Sequence, residues 1–110
     1  MAHTHIAALT ITRRAAGSIA AHHFVDVHGQ QAAADAKVVG VALTDALPGD
    51  DVPVLAVGQI TMTAGAAITA GDAVVSNASG LPVPQGSASN VIGMALDAAD
   101  PGEPVTILIR

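Results

Sequence analysis

Histidines are the residues of this chain best suited to chemistry, and they stand at positions 3, 5, 22, 23 and 28. His3 and His5 form a His-x-His pair whose imidazole nitrogens could bind a divalent metal ion. No carboxylate lies nearby in the sequence to complete a set of ligands. In a regular strand His22 and His23 would point to opposite faces, so they could not chelate one ion. The sequence therefore predicts no metal site.

The serines, acids and glycines give no stronger sign of catalysis. Nucleophilic serine needs a histidine and an orienting acid, and no serine here lies in a nucleophile-elbow pattern. Asp50 and Asp51 follow a turn and are expected to face water, and no glycine run precedes a helix to bind phosphate. Phe24 is the single aromatic residue that could line a substrate pocket. We expect no enzyme, with a small hydrolase or isomerase domain as an alternative.

The composition bears on the classes of partner. The 110 residues include nine acids and four bases, for a net charge of −5, without the basic stripe that nucleic-acid binding needs. No apolar run is long enough to cross a membrane, and the first residues lack the pattern of a secretory signal. Hydrophobic residues make up 51% and the mean hydropathy is +0.54, yet large side chains are few. We expect another chain to cover part of the apolar surface.

An internal repeat divides the chain into two similar halves. Residues 40–55 and 93–108 share Gly, Ala, Leu, Pro-Gly, an acid and Val in register without a gap, and residues 19–25 correspond more weakly to 68–74. Two copies are too few for a solenoid, so we expect them to pack into one unit. The predicted organisation is an N-terminal arm at residues 1–14 and a single β domain at 15–110, with halves at about 15–57 and 58–110.

Short alternating and β-branched runs predict strands rather than helices. The Leu-Pro-Gly-Asp turn at 47–50 and the Asp-Pro-Gly-Glu turn at 100–103 separate strands, because proline fixes φ and glycine accepts a positive φ. Residues 30–37 suit a helix but are few, and we predict a loop. The expected fold is all-β: a small pseudo-duplicated β-barrel or sandwich (β-tulip-like) with short loops and an extended N-terminal arm. The predicted strands are 10–12, 25–28, 38–43, 52–57, 60–63, 73–76, 81–83, 91–96 and 105–109.

Three phrases of the second half resemble a known family. They are TAGAAITAGDAVV at residues 63–75, GLPVP at 80–84 and IGMAL at 92–96, followed by Gly-Glu-x-Val-x-Ile-x-Ile at 102–109. Their order, together with the composition and length, resembles the capsid cement or head decoration family of tailed phages. The resemblance covers roughly residues 15–110, and the His-containing start matches no motif of the family.

The resemblance implies a structural protein of the virion. Such a subunit is β-rich, lies on the outer surface of the expanded head between hexamers of the major capsid protein, and stabilises the shell against the pressure of the DNA inside. No catalytic residue and no cofactor are implied. The expected partners are the major capsid protein and further copies of the chain in a homotrimer, with no nucleic acid and no membrane. The expected location is the outer capsid surface, after synthesis in the host cytoplasm.

The N-terminal residues are the predicted capsid-binding segment. Residues 2–12 could add a strand to an exposed edge on the capsid, where main-chain hydrogen bonds supply affinity. Many weak contacts repeated over a shell then give avidity. The alternative function is that of a small β binding module of a phage tail or accessory protein. The residues predicted to bind the capsid are His3, Thr4, His5 and Ile6.

Overall fold

Strands make up the regular structure throughout residues 5–110, the part of the chain that the computed structural model describes. No helix occurs in this range, and hence none that could span a membrane. The predicted all-β class is confirmed, and residues 30–37 form the predicted loop. The strands are β1 (His5–Arg14), β2 (Phe24–Asp26), β3 (Val38–Ala42), β4 (Asp51–Thr63), β5 (Ala73–Ser76), β6 (Pro82–Pro84), β7 (Gly93–Ala95) and β8 (Pro104–Ile109).

The strands form one sheet that curves into a nearly closed barrel. Its order is β2-β3-β4-β8-β7-β5-β6, and β1 pairs with β4 outside this path. Every pairing is antiparallel. The long strand β4 has β1 along one edge and both β3 and β8 along the other. It therefore joins the first half of the chain to the second.

Gly58 lets β1 approach β4 closely at the middle of that long strand. The residue has φ 144°, and a Cβ there would collide with the carbonyl oxygen of Ile6. The register of β1 on β4 shifts on both sides of Leu9, as at a β-bulge. The predicted joint after Val57 thus falls inside a continuous strand, and the division of the chain into an arm and two halves stays a prediction.

The two halves repeat the same hydrogen bonds at their Pro-Gly turns. In the first turn the carboxylate of Asp50 accepts the main-chain N–H of Leu47 at 3.0 Å. In the second turn Glu103 accepts the main-chain N–H of Asp100 at 2.9 Å. A carboxylate in this place fixes the turn, because it satisfies a donor that the main chain leaves free.

The two halves also bury the same set of small and branched side chains. These side chains lie in two clusters, a smaller one built from the first half and a larger one centred on the second. Alanine and valine allow close approach of the main chains but each contributes little apolar area. The matched pairs are Ala15/Ala64, Ile19/Ile68, Val25/Val74, Ala42/Ala95, Ala46/Ala99, Val52/Val105 and Val54/Ile107.

Candidate functional site

His22, His23 and His28 lie in the turns before and after β2. His22 adopts φ 62° in the turn before β2, where the second half has Gly71 with φ 91°. The Nδ1 atom of His23 lies 3.0 Å from the carbonyl oxygen of Ala21. Among the described residues, no three His, Cys, Asp or Glu side chains converge as a metal ion would require.

Several acidic side chains hold loops in place. Asp35 accepts the main-chain N–H groups of Ser89 and Asn90, the second at 2.8 Å. Asp45 accepts the main-chain N–H of Ala21 at 2.7 Å. A carboxylate that binds main-chain donors in this way ties distant loops together. These acids therefore have a structural task in the fold.

Two matching depressions lie beside the Pro-Gly turns. Their volumes are about 340 and 330 Å³, and each wall combines small apolar side chains with one hydroxyl residue and two acids. Of the four acids that line them, Asp50 and Glu103 accept main-chain N–H groups of the turns, and Asp45 accepts that of Ala21. A substrate pocket needs polar groups that are free to orient its ligand, and three of these four acids already bind the main chain of the protein itself.

β1 is the longest of the three strands that lie at an edge of the sheet, since β2 and β6 have only three residues each. It pairs with β4 along one edge, and no other strand within residues 5–110 pairs with its second edge. From His5 to Thr12 the sequence contains no proline and no Asp, Glu, Lys or Arg. Sheet edges that face water are commonly protected by such residues. An edge without them is suited to accept a strand from a partner.

Exposed apolar side chains lie next to this edge. Ile6 is 60% exposed and Leu9 is 51% exposed. Val57 of β4 pairs with Leu9 and is exposed as well. Neighbouring apolar groups in contact with water indicate a protein interface. We call the free edge of β1, with Ile6, Leu9 and Val57, the β1 surface.

The predicted capsid-binding residues fall only partly within the described chain. His3 and Thr4 lie outside the described residues. His5 begins β1 with its main chain opposite Ile60, and Ile6 follows opposite Gln59. From residue 5 onward the predicted arm is thus already paired with its own chain, which leaves a single edge for a partner.

The sequence analysis included Leu9 in the strand-adding segment 2–12 but not among the named contact residues, and it did not include Val57. The two residues are far apart in sequence and come together only through the pairing of β1 with β4. A usable signal was present, because Leu9 precedes the alternating run Thr-Ile-Thr at 10–12 and extends it as a strand.

Comparisons with known proteins agree with this structural character. The family model described as phage cement protein matches residues 2–110. The solved structure of the head fiber gp8.5 N base in bacteriophage phi29 is similar, with a TM-score of 0.74 and 27% identity over 93% of this chain and 93% of that chain. No curated protein gives a significant match. The resemblance drawn from the sequence is confirmed, and the chain belongs to the phage cement protein family.

Proposed function

We propose that this protein binds the outer surface of a phage head through its β1 surface and stabilises the capsid shell. Membership of the cement family and the likeness to a head fiber support a structural, capsid-binding role. The proposal adds the major capsid protein as the partner, a homotrimer as the bound form and the outer surface of the virion as the location. It also includes synthesis in the host cytoplasm and the absence of enzymatic activity.

The observation that carries the proposal is the free edge of β1, which has no proline and no Asp, Glu, Lys or Arg from His5 to Thr12. A strand of the capsid protein that pairs with this edge would gain main-chain hydrogen bonds, each with a net contribution of about 0.5–1.5 kcal/mol. The exposed side chains of Ile6 and Leu9 would add apolar contact. We propose His3, Thr4, His5 and Ile6 as contact residues, with Leu9 and Val57 beside them.

Repetition turns a modest contact into stable attachment. One added strand of a few residues gives weak binding, because ordering the partner strand offsets part of the gain. A homotrimer presents three β1 surfaces, so the second and third contacts form at high effective concentration. Residues 1–14 would act as the attachment segment and residues 15–110 as the body that covers the shell.

A single substitution in the β1 surface tests the proposal. Leu9→Lys places a charge within the proposed contact, and cosedimentation with expanded empty heads should show binding weakened at least about tenfold. Leu47→Lys is the matched control, because Leu47 is 67% exposed and lies in a Pro-Gly turn. Binding that survives Leu9→Lys but is lost in Leu47→Lys would place the contact elsewhere.

Substitution is preferable to deletion of the N-terminal segment. Ile11 packs against the smaller cluster of buried side chains, and Thr10 to Arg14 pair with β4. Removal of residues 1–12 would therefore take away part of a strand as well as the proposed contact. Circular dichroism should show that Leu9→Lys keeps the strand content of the native protein, since Leu9 is exposed.

A further inference from the structure

One row of side chains is buried in the first half and open in the second. In the first half the row crosses β2, β3 and β4, its members pair directly with one another, and all are fully buried. In the second half the matching row crosses β5, β7 and β8 with the same pairing, and its members are only half-buried. We call these the covered row and the open row. The matched pairs are Phe24/Ala73, Val41/Met94 and Leu55/Leu108.

The second half of the same chain buries the covered row. The larger cluster contains all three members of that row together with Ile60, Ile92 and Ile109. These isoleucines lie on β4, just before β7 and on β8, and each is buried. We call them the covering face. The covered row and the covering face therefore belong to one buried core that spans the two halves of the chain.

The first half carries a second copy of the covering face. Ile11, Val39 and Ala56 stand at the matching positions of β1, β3 and β4, and all three are half-buried. Ile11 and Val39 pack at the border of the smaller cluster. We call these residues the free face. The chain thus has two copies of the row and two copies of the face. Within the described residues, the covered row and the covering face are buried, whereas the open row and the free face remain half-buried.

Both unused surfaces are chemically suited to the same contact. None of their side chains carries a charge or a hydrogen-bonding group, so burial would leave no polar side-chain atom without a partner. Met94 replaces the valine of the covered row, and its flexible side chain fills irregular space well. Half-buried apolar residues at both places match the surplus of apolar residues in the composition.

We propose that the open row of one molecule packs against the free face of a second copy of this chain. The contact reproduces between molecules the packing that the covered row makes within one molecule. Because the two surfaces differ, the association is head-to-tail, and each molecule keeps one surface of each kind for its neighbours. Such contacts lead to a closed ring when the rotation between copies allows it. The inference rests on the proposed function, whose homotrimer it supplies with an interface.

Two substitutions on opposite sides of the contact test this interface. Met94→Asp disables the open row, and Val39→Asp disables the free face. In sedimentation velocity without phage heads, followed by interference optics because the chain has no Trp or Tyr, the native protein should form an oligomer. Each variant should sediment as a monomer, with association weakened at least about tenfold. Leu47→Asp, at an exposed turn, is the matched control and should associate like the native protein.

Mixing the two variants separates this interface from other modes of association. A head-to-tail contact needs one intact open row and one intact free face, so the equimolar mixture should form dimers although neither variant does so alone. A mixture that stays monomeric, or a native protein that is monomeric throughout, would overturn the proposal. Leu108→Asp with Ile11→Asp provides a second pair if circular dichroism shows that the first is unfolded.

The result is independent of head binding. An oligomer that associates as described but fails to cosediment with heads would contradict the proposed function and support this interface. Native protein that binds heads as a monomer would support capsid binding and contradict this interface.

Discussion

Gly40 and Gly93 occupy matching places in the two halves, and both leave room for a carbonyl oxygen. A Cβ at Gly93 would collide with the carbonyl oxygen of Leu108, and a Cβ at Gly40 with that of Leu55. The obstacle is main chain, which cannot rotate aside as a side chain can. The sequence repeat places the two glycines in register, but only the strand pairing explains why each is needed.

Replacement of Gly93 by alanine should therefore destabilise the protein. We expect Gly93→Ala to lower the free energy of unfolding by about 1–3 kcal/mol, the usual effect of overpacking. Gly17→Ala is the matched control, because no atom lies within 4 Å of the added Cβ, and it should leave stability unchanged or raise it by about 0.4–1 kcal/mol. Urea denaturation followed by circular dichroism measures both. Equal effects of the two substitutions would show that the close approach to Leu108 does not matter.

Residue types alone placed the candidate site only in part. The predicted binding residues were taken from the N-terminal segment, and the structure adds Leu9 and Val57 to Ile6. Val57 belongs to the surface because β1 lies beside it, and residue type carries no information on that pairing. Residues that a paired strand adds to a surface can be identified only when the register of the pairing is known.

The strands followed the sequence patterns well where alternation was regular. The run at 73–76 is β5, whereas the runs at 52–57 and 60–63 proved to be one strand, β4. Gly58 and Gln59 interrupt the alternation of apolar residues, but Gly58 does not form a turn. It leaves room for the main chain of Ile6 in β1. Proline has no N–H to donate to a ladder, which favours a place in an edge strand. Pro82 and Pro84 lie in β6 at the end of the sheet, but Pro53 lies in β4, which is paired on both edges.

The second half shows why β4 tolerates Pro53. Thr106 stands at the matching place in β8, and its main-chain N–H is bound by the carboxylate of Asp97 at 2.9 Å. The first half has Thr44 where the second has Asp97, and proline needs no acceptor because it has no N–H. At this position the second half supplies an acceptor for the main-chain N–H, whereas the first half has no N–H that needs one.

This difference predicts a coupling between Asp97 and Thr106. Asp97→Ala removes the acceptor of the Thr106 main-chain N–H and should cost about 0.5–1.5 kcal/mol of unfolding free energy. In a Thr106→Pro background, which copies the first half, Asp97→Ala should cost close to nothing. Urea denaturation of the four proteins gives the coupling energy directly. The same cost in both backgrounds would mean that Asp97 stabilises the protein through another contact.

At the level of the whole protein, duplication was visible in the sequence but the packing of the two copies was not. The repeated residues fix which side chains are equivalent, and the matched pairs of the two clusters follow that equivalence. Equivalent residues nevertheless differ in burial, since Leu55 is fully buried and Leu108 is half-buried. A sequence repeat specifies similar surfaces and leaves open which copy is covered, because that depends on how the two halves pack together.

Leu55 and Leu108 therefore allow folding and association to be measured separately. Leu55→Ala removes a fully buried side chain and should lower the free energy of unfolding by about 2–5 kcal/mol at every protein concentration. Leu108→Ala should cost far less in dilute protein, and the difference from the native protein should grow with concentration, because association stabilises only a chain that can associate. Thermal unfolding followed by circular dichroism over a wide range of concentrations distinguishes the two. A cost of Leu108→Ala that is the same at all concentrations would show that the open row stays exposed to water and has no partner in a second copy.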